Sequence, residues 1–230
     1  MLPIAILAGG LATRLRPITD TIPKALVEIN GEPFIAHQLR LLQSRGIRRV
    51  VLCLGYRGEM VRDLVGDGGQ FGLTVDYSFD GPTLRGTAGA IHQALPLLDD
   101  TFFVLYGDSY LTCDYAAVAE AFRQQQKTGL MTIYPNEGQW DSSNVEFAEG
   151  AILAYDKKQR TPRMRYIDYG LGVFDRRAFA DIAPGAGMDL AALYQQLLAE
   201  QDLAAFVVPE RFYEIGSLAG IRELSEALNK

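Results

Sequence analysis

Short, unbroken apolar runs alternate with amphipathic stretches through the first two thirds of the chain. Leu2–Leu7, Val50–Leu54, Leu73–Tyr77, Phe102–Tyr106 and Leu130–Tyr134 are short continuous runs, which is how strands buried on both faces read. Between them, Ile35, Leu39, Leu42 and Gln43 fall at helical spacing, and Gly46 suits the helix exit. Further helices are predicted over Glu59–Val65, Thr87–Leu95 and Tyr115–Gln126, with Asp114 placed to cap the last. Strand and helix in alternation predict an α/β fold whose mostly parallel sheet is covered on both faces.

After Pro135 the pattern changes. Asn144–Phe147, Ile152–Tyr155 and Tyr166–Phe174 read as strands with no long helix between them, so a smaller mixed-sheet portion is expected. A helix over Leu190–Leu198 follows, with Asp189 as its simplest cap, then strands Ala205–Val208 and Phe212–Ile215. Ser217 is placed to cap a final helix, Leu218–Leu228. No repeat or linker breaks the chain. One domain over residues 1–230 is expected: about 1–135 as its larger core, and about 136–230 as the smaller portion with the closing strands and helix.

Composition narrows the setting. With 48% hydrophobic and 22% charged residues the chain is not built for extended disorder. A formal net charge of −6 argues against bulk nucleic-acid binding, which draws on phosphate neutralisation. No apolar run approaches the roughly 20 residues that span a bilayer. Leu2–Ala8 lacks the basic flank of a signal peptide, and Cys53 and Cys113 sit in or near apolar runs as reduced thiols. A cytoplasmic protein is therefore expected, with no membrane partner.

The chemistry concentrates at the start. A strand runs into Leu7-Ala8-Gly9-Gly10-Leu11-Ala12-Thr13-Arg14-Leu15, and Pro23-Lys24 follows. Consecutive glycines after a buried strand let backbone N–H groups approach an anion closely. Arg14 offers planar bidentate donors and Lys24 a mobile point charge. The spacing fits neither the dinucleotide fingerprint nor the P-loop. Glycines, Arg14 and Lys24 together point to nucleotide phosphates; a tight turn beside two solvated cations is the plainer reading. Asp108, released by Gly107 after the strand Phe102–Tyr106, lies at a sheet edge, where a carboxylate suits Mg²⁺ or merely caps a turn. Gly86-Thr87-Ala88-Gly89-Ala90 opens a helix, either as a flat wall and positive N-terminus for a nucleotide or as close packing on the sheet. His37 and His92 have no metal-ligand or catalytic partner at useful spacing.

Leu7 through Lys24 resembles the sugar-1-phosphate nucleotidyltransferases, matching their opening pattern L-A-G-G-x-x-T-R-L-x-P-x-T-x-x-x-P-K at every specified position. The resemblance continues at Gly31-Glu32-Pro33, Gly86–Ala90, Gly107-Asp108-Ser109 and Phe212–Gly216. The phrase Tyr166–Gly172 and the C-terminal third look most like D-glycero-D-manno-heptose 1-phosphate guanylyltransferases. This implies the Rossmann-like nucleotidyltransferase fold, with the smaller mixed sheet binding sugar. The implied reaction joins a sugar 1-phosphate to a nucleoside triphosphate with Mg²⁺, the best pair being GTP and the heptose phosphate, for surface polysaccharide.

The resemblance also implies roles. Leu7, Ala8, Gly9, Gly10, Gly86, Thr87 and Gly107 surround the nucleotide. Arg14, Lys24 and Asp108 carry the reaction. Asp108 and Glu214 hold the metal, although Glu214 stands where relatives usually carry Asp and could be a plain strand glutamate. Asn144, Lys157, Asp168 and Gly170 serve the sugar phosphate, with Lys158 the alternative to Lys157. Relatives commonly read Leu-Gly-Thr where this chain has Leu84-Arg85-Gly86-Thr87, so Arg85 reads as an insertion or register change next to the base pocket, and the resemblance does not fix the base. Uridylyl or cytidylyl transfer, and a non-catalytic sensor, stay open. A glycosyltransferase is disfavoured, because Gly107-Asp108-Ser109-Tyr110 is no Asp-x-Asp motif. No separate acyltransferase or regulatory domain is expected, and the oligomeric state is open, a homodimer included.

Overall fold

The computed structural model describes residues 1–81, 83 and 85–229. The elements in chain order are β1 (Ile4–Leu7), β2 (Glu28–Ile29), β3 (Glu32–Pro33), α1 (Phe34–Ser44), β4 (Arg49–Leu54), α2 (Gly58–Val65) and β5 (Thr74–Phe79). Then come α3 (Gly86–Ala94), β6 (Thr101–Tyr106), β7 (Ser109–Tyr110), α4 (Tyr115–Gln125), β8 (Gly129–Tyr134), β9 (Val145–Ala148) and β10 (Ala151–Tyr155). β11 (Ile167–Asp175), α5 (Leu190–Ala199), β12 (Leu203–Val207), β13 (Tyr213–Glu214) and α6 (Leu218–Leu228) complete the chain. Every predicted strand and helix is present within a few residues of its expected ends.

Seven strands form one sheet in the order β12-β8-β11-β6-β1-β4-β5. β6, β1, β4 and β5 are mutually parallel, and β12 is parallel to β8, whereas β11 runs antiparallel between β6 and β8. The mostly parallel α/β architecture is thus present. β11 and β12, from beyond residue 135, join this main sheet; β9 and β10 form a separate antiparallel hairpin.

Alternate β1 side chains explain the layers. Ile4 and Ile6 face a core that also takes Leu39 of α1, Val61 of α2 and Val118 of α4. Ala5 faces the other core, with Ile91 of α3 and Leu193 of α5. A third small cluster, Ile29, Phe34, Ile215 and Leu224, seats α6 against the start of α1. Asp114 and Ser217 cap α4 and α6 through their side chains as expected.

The order places β1 between β6 and β4, so the chain winds first one way from β1 and then returns on its other side. Loops leaving β1 and β6 diverge there, opening a crevice beyond the strand ends. Gly107 guards that junction. Its N–H donates to the Leu7 carbonyl at 3.0 Å, and a Cβ at residue 107 would collide with that same carbonyl.

Candidate active site

The loop after β1 is pinned from three directions. Ala8 N–H donates to the Cys53 carbonyl, Tyr56 N–H to the Gly9 carbonyl, and the Tyr56 hydroxyl to the Asp20 carbonyl at 2.9 Å. Within the loop, buried Thr19 donates to the Ala12 carbonyl at 2.9 Å. These bonds hold a loop with little apolar cover in one shape, which leaves Gly10 with open space at its Cα.

Two cavities lie along this edge of the sheet. The first, about 290 Å³, is lined by Leu7, Ala8, Gly9 and Gly10, and by Gly86 and Thr87 of α3. Lys24, Gly107 and Asp108 belong to the same lining. The second, about 340 Å³, is lined by Asn144, Lys157, Asp168 and Gly170, together with Arg14, Asp108 and Glu214. Tyr106 and Asp108 belong to both linings and form the wall between them. The sequence-predicted residues therefore sort into two adjoining chambers. Arg14 borders the second and not the first, and Lys157 lines the cavity where Lys158 does not.

Asp108 is supported from below and from the side. Buried Gln38 of α1 donates through Nε2 to the Ser109 carbonyl at 2.8 Å, and Ile215 N–H donates to the Asp108 carbonyl at 2.9 Å. β7 pairs with β13, setting Glu214 opposite Ser109. Lys24 Nζ lies 2.8 Å from Asp108 Oδ2, with the two side chains 19% and 25% exposed. Glu214 is pushed above the usual carboxylate range, first by burial and then by the Asp108 and Asp141 charges, against Arg14 and Lys24. Two carboxylates lining one cavity are a hard-oxygen donor pair that suits Mg²⁺, an ion that takes one or two protein carboxylates and fills its shell from phosphates and water. Among the described residues no group of three or more His, Cys, Asp or Glu could hold a metal.

The α3 N-terminus departs from expectation. Ala88 and Gly89 spend their N–H groups on the Met188 carbonyl, at 2.9 and 3.1 Å, so these two orphan donors are not free for an anion. Gly86 and Gly89 pack directly against residues 186–188, which is the small-residue packing reading of this segment, and Gly86 also lines the first cavity. The expected cap of α5 is corrected too. Asp189 makes no side-chain capping bond; the Thr87 hydroxyl accepts the Leu190 N–H at 2.6 Å, and Asp189 lines the first cavity instead. Arg85 is folded back, its Nε donating to the Asp80 carbonyl at 3.1 Å; Leu84 lies outside the described residues.

Sequence reasoning missed Asp80, Tyr106 and Arg160. Asp80 follows β5, is 7% exposed, lines the first cavity, and has its pKa raised by burial against the opposing pull of Arg85. Cys53 beside it is pushed up to about 12 by burial and by Asp80, so it stays a thiol. Position at a C-terminal strand end was the available signal for Asp80 and Tyr106. Arg160 lines the second cavity from the loop after β10 and donates to the Lys157 carbonyl at 3.1 Å.

The nucleotidyl transferase family model matches residues 4–230. The chain belongs to the nucleotidyl transferase family. Similar members include the N-acetylmuramate alpha-1-phosphate uridylyltransferase of Neisseria meningitidis serogroup B, 39% identical over 49% of this chain and 49% of that one. The mannose-1-phosphate guanyltransferase of Kluyveromyces lactis is 42% identical over 56% of this chain and 36% of its own length. The chain spans about half the length, or less, of these two curated nucleotidyl transferases. The fold matches the crystal structure of HddC from Yersinia pseudotuberculosis complexed with GMP-PN, with TM-score 0.84 and 24% identity over 99% of this chain and 100% of that one. Among the described residues no helix is long and apolar enough to cross a membrane.

Proposed function

We propose that this nucleotidyl transferase joins a sugar 1-phosphate to a nucleoside triphosphate, releasing pyrophosphate. The observation that carries the reading is the shared wall: two adjoining cavities meet at Asp108 and Tyr106, with Lys24 beside the wall. Two polyanions must be brought together, and positioning plus charge stabilisation is what such transfers chiefly need. The nucleotide lies in the first cavity, against Leu7–Gly10, Gly86, Thr87 and Gly107, and the sugar phosphate in the second, with Lys157 and Arg160 for its phosphate and Asn144 and Gly170 beside its ring. A phosphate oxygen of the sugar, anionic at neutral pH, attacks the α-phosphorus. The α–β phosphoanhydride bond breaks and pyrophosphate leaves with its electron pair, so no general base is required. Lys24 stabilises charge on the reacting phosphate, and Arg14, in the lining of the second cavity, meets the departing pyrophosphate. Asp108 and Glu214 are the residues that would hold Mg²⁺, which supplies positive charge to phosphate oxygens when bound.

For the base we favour guanine. Asp80 and Asp189 bring acceptor-only carboxylates to the first cavity. Guanine presents two adjacent donors, N1–H and the N2 amino group, that a carboxylate can accept together. Uracil flanks its single N3–H with carbonyls, which carboxylates repel. For the sugar we favour D-glycero-D-manno-heptose 1-phosphate, on the phrase Tyr166–Gly172; the product would serve surface polysaccharide synthesis. The test is pyrophosphate release with Mg²⁺, crossing five nucleoside triphosphates with heptose, mannose, glucose and N-acetylhexosamine 1-phosphates. Release with GTP and the heptose or mannose compound is expected. Release confined to UTP or CTP would overturn the base assignment and support the uridylyl reading that the Neisseria relative favours. No release, with nucleotide still raising Tm, would point to a sensor.

A further inference from the structure

We propose that Asp168 is a positioning residue, which fixes the Lys157 ammonium beside the wall between the two cavities and does not itself touch the sugar. This rests on the second cavity being the sugar 1-phosphate site.

The Asp168 side chain is 2% exposed, whereas that of Lys157 is 45% exposed. Its Oδ2 accepts the Tyr106 hydroxyl at 3.1 Å and the Tyr155 hydroxyl at 3.2 Å, and lies 3.3 Å from Lys157 Nζ. Its Oδ1 accepts the Gly170 N–H at 3.1 Å. Three of these partners fill Oδ2, and with Oδ1 bonded to the backbone and the side chain almost wholly buried, the carboxylate presents scarcely any surface to a sugar hydroxyl. The two phenols are held as donors: burial first, and then the Asp168 charge, push both tyrosines well above their ordinary range. The backbone beneath is also locked, because Asn144 Oδ1 accepts the Asp168 N–H at 2.9 Å.

A buried carboxylate needs a cationic or hydrogen-bonding partner, and Lys157 is the cation this one has among the described residues. The benefit runs the other way as well. A lysine stem has many rotamers, and this one is held at both ends of Tyr106, with Nζ 4.8 Å from the ring centre and 3.4 Å from the hydroxyl. Two of the three ammonium N–H groups then serve Asp168 and Tyr106, which leaves one for a phosphate oxygen. Tyr106 lines both cavities, so the anchored charge stands where the sugar phosphate must approach the nucleotide.

The test uses Asp168→Asn, with Tyr155→Phe as a second variant that removes one donor and keeps the carboxylate. In ¹H–¹⁵N spectra of the lysine ammonium groups of substrate-free protein, only five lysines contribute. The Lys157 signal, assigned by its loss in Lys157→Arg, is expected to be shifted and slow to exchange in the parent and to collapse onto the solvent-exposed signals in Asp168→Asn. In turnover with GTP and α-D-mannose 1-phosphate or the heptose 1-phosphate, KM for the sugar phosphate should rise about tenfold or more while KM for GTP stays within about twofold. Tyr155→Phe should move both readouts in the same direction and less far. In a Lys157→Met background, Asp168→Asn should add little, because the two act as one unit. An unchanged Lys157 signal, additive effects, or equal loss for both substrates would overturn the proposal. Absence of turnover in the parent protein would count against the functional reading instead, and the ammonium spectrum would then decide the placement of Lys157 alone.

Discussion

Replacing Lys24 with methionine keeps the length and apolar stem of the side chain and removes only its charge. The ammonium sits 2.8 Å from Asp108 at a wall whose side chains are a fifth to a quarter exposed. In such partly buried surroundings two unit charges about 4 Å apart interact by about 4 kcal/mol, and part of that appears as extra stabilisation when charge builds on the α-phosphate. Removing one preorganised donor of this kind elsewhere costs ~2.7–4 kcal/mol, or ~10²–10³ in kcat. The two figures agree, so kcat/KM for pyrophosphate release should fall ~10²–10³-fold, mostly in kcat. Stability should barely move. A pair that solvent still reaches contributes about 1 kcal/mol or less, worth about 2–4 °C of Tm in a domain of this size. Coupled-enzyme detection of pyrophosphate, run beside a thermal melt, reads both quantities. A folded Lys24→Met protein within about threefold of parental kcat/KM would refute the reasoning, as would a loss carried wholly by KM for one substrate.

Three further outcomes follow from the geometry. The Glu214 carboxyl titrates higher folded than unfolded, so in metal-free protein it costs nothing below its unfolded value, costs stability as pH rises from there, and costs most above its folded pKa. Glu214→Gln should therefore raise Tm at neutral pH, and the gain should vanish near pH 4; a gain independent of pH would show that the charge is not the cause. Gly107→Ala puts a methyl into the Leu7 carbonyl and should lower stability by about 1–3 kcal/mol while also cutting turnover, as read by urea melts and kinetics; parental stability would contradict the close approach. Thr87→Val keeps the shape and loses the acceptor for Leu190 N–H, so the unfolding free energy from urea melts should drop by the ~1 kcal/mol typical of a cap, whereas Asp189→Asn should leave it unchanged.

Much of this molecule could be read along the chain because its cues are local. Continuous apolar runs gave the strands of the parallel half, and Gly9, Gly10, Asp108 and Lys157 all reached cavities. What escaped was set by partners distant in sequence. Asn30-Gly31, both at positive φ, turns the two-residue hairpin between β2 and β3, whose strands are too short to show as apolar runs. β11 was read as a strand of a smaller sheet, yet its neighbours in the main sheet, Leu105 and Leu130, lie far from it in the chain. Asp189 was the obvious cap of α5 until Thr87, a hundred residues upstream, took that role and freed it to line a cavity. The α3 N-terminus looked open to an anion because nothing local showed that Met188 would occupy it.

The central claim is that one cavity takes the nucleotide and the other the sugar phosphate, across Asp108 and Tyr106. Steady-state kinetics of Asp80→Asn and Lys157→Met, with both substrates varied, test it most directly. The account predicts that Asp80→Asn raises KM for GTP alone and relaxes the preference for GTP over UTP, while Lys157→Met raises KM for the sugar 1-phosphate alone. Both variants moving KM for the same substrate would contradict it.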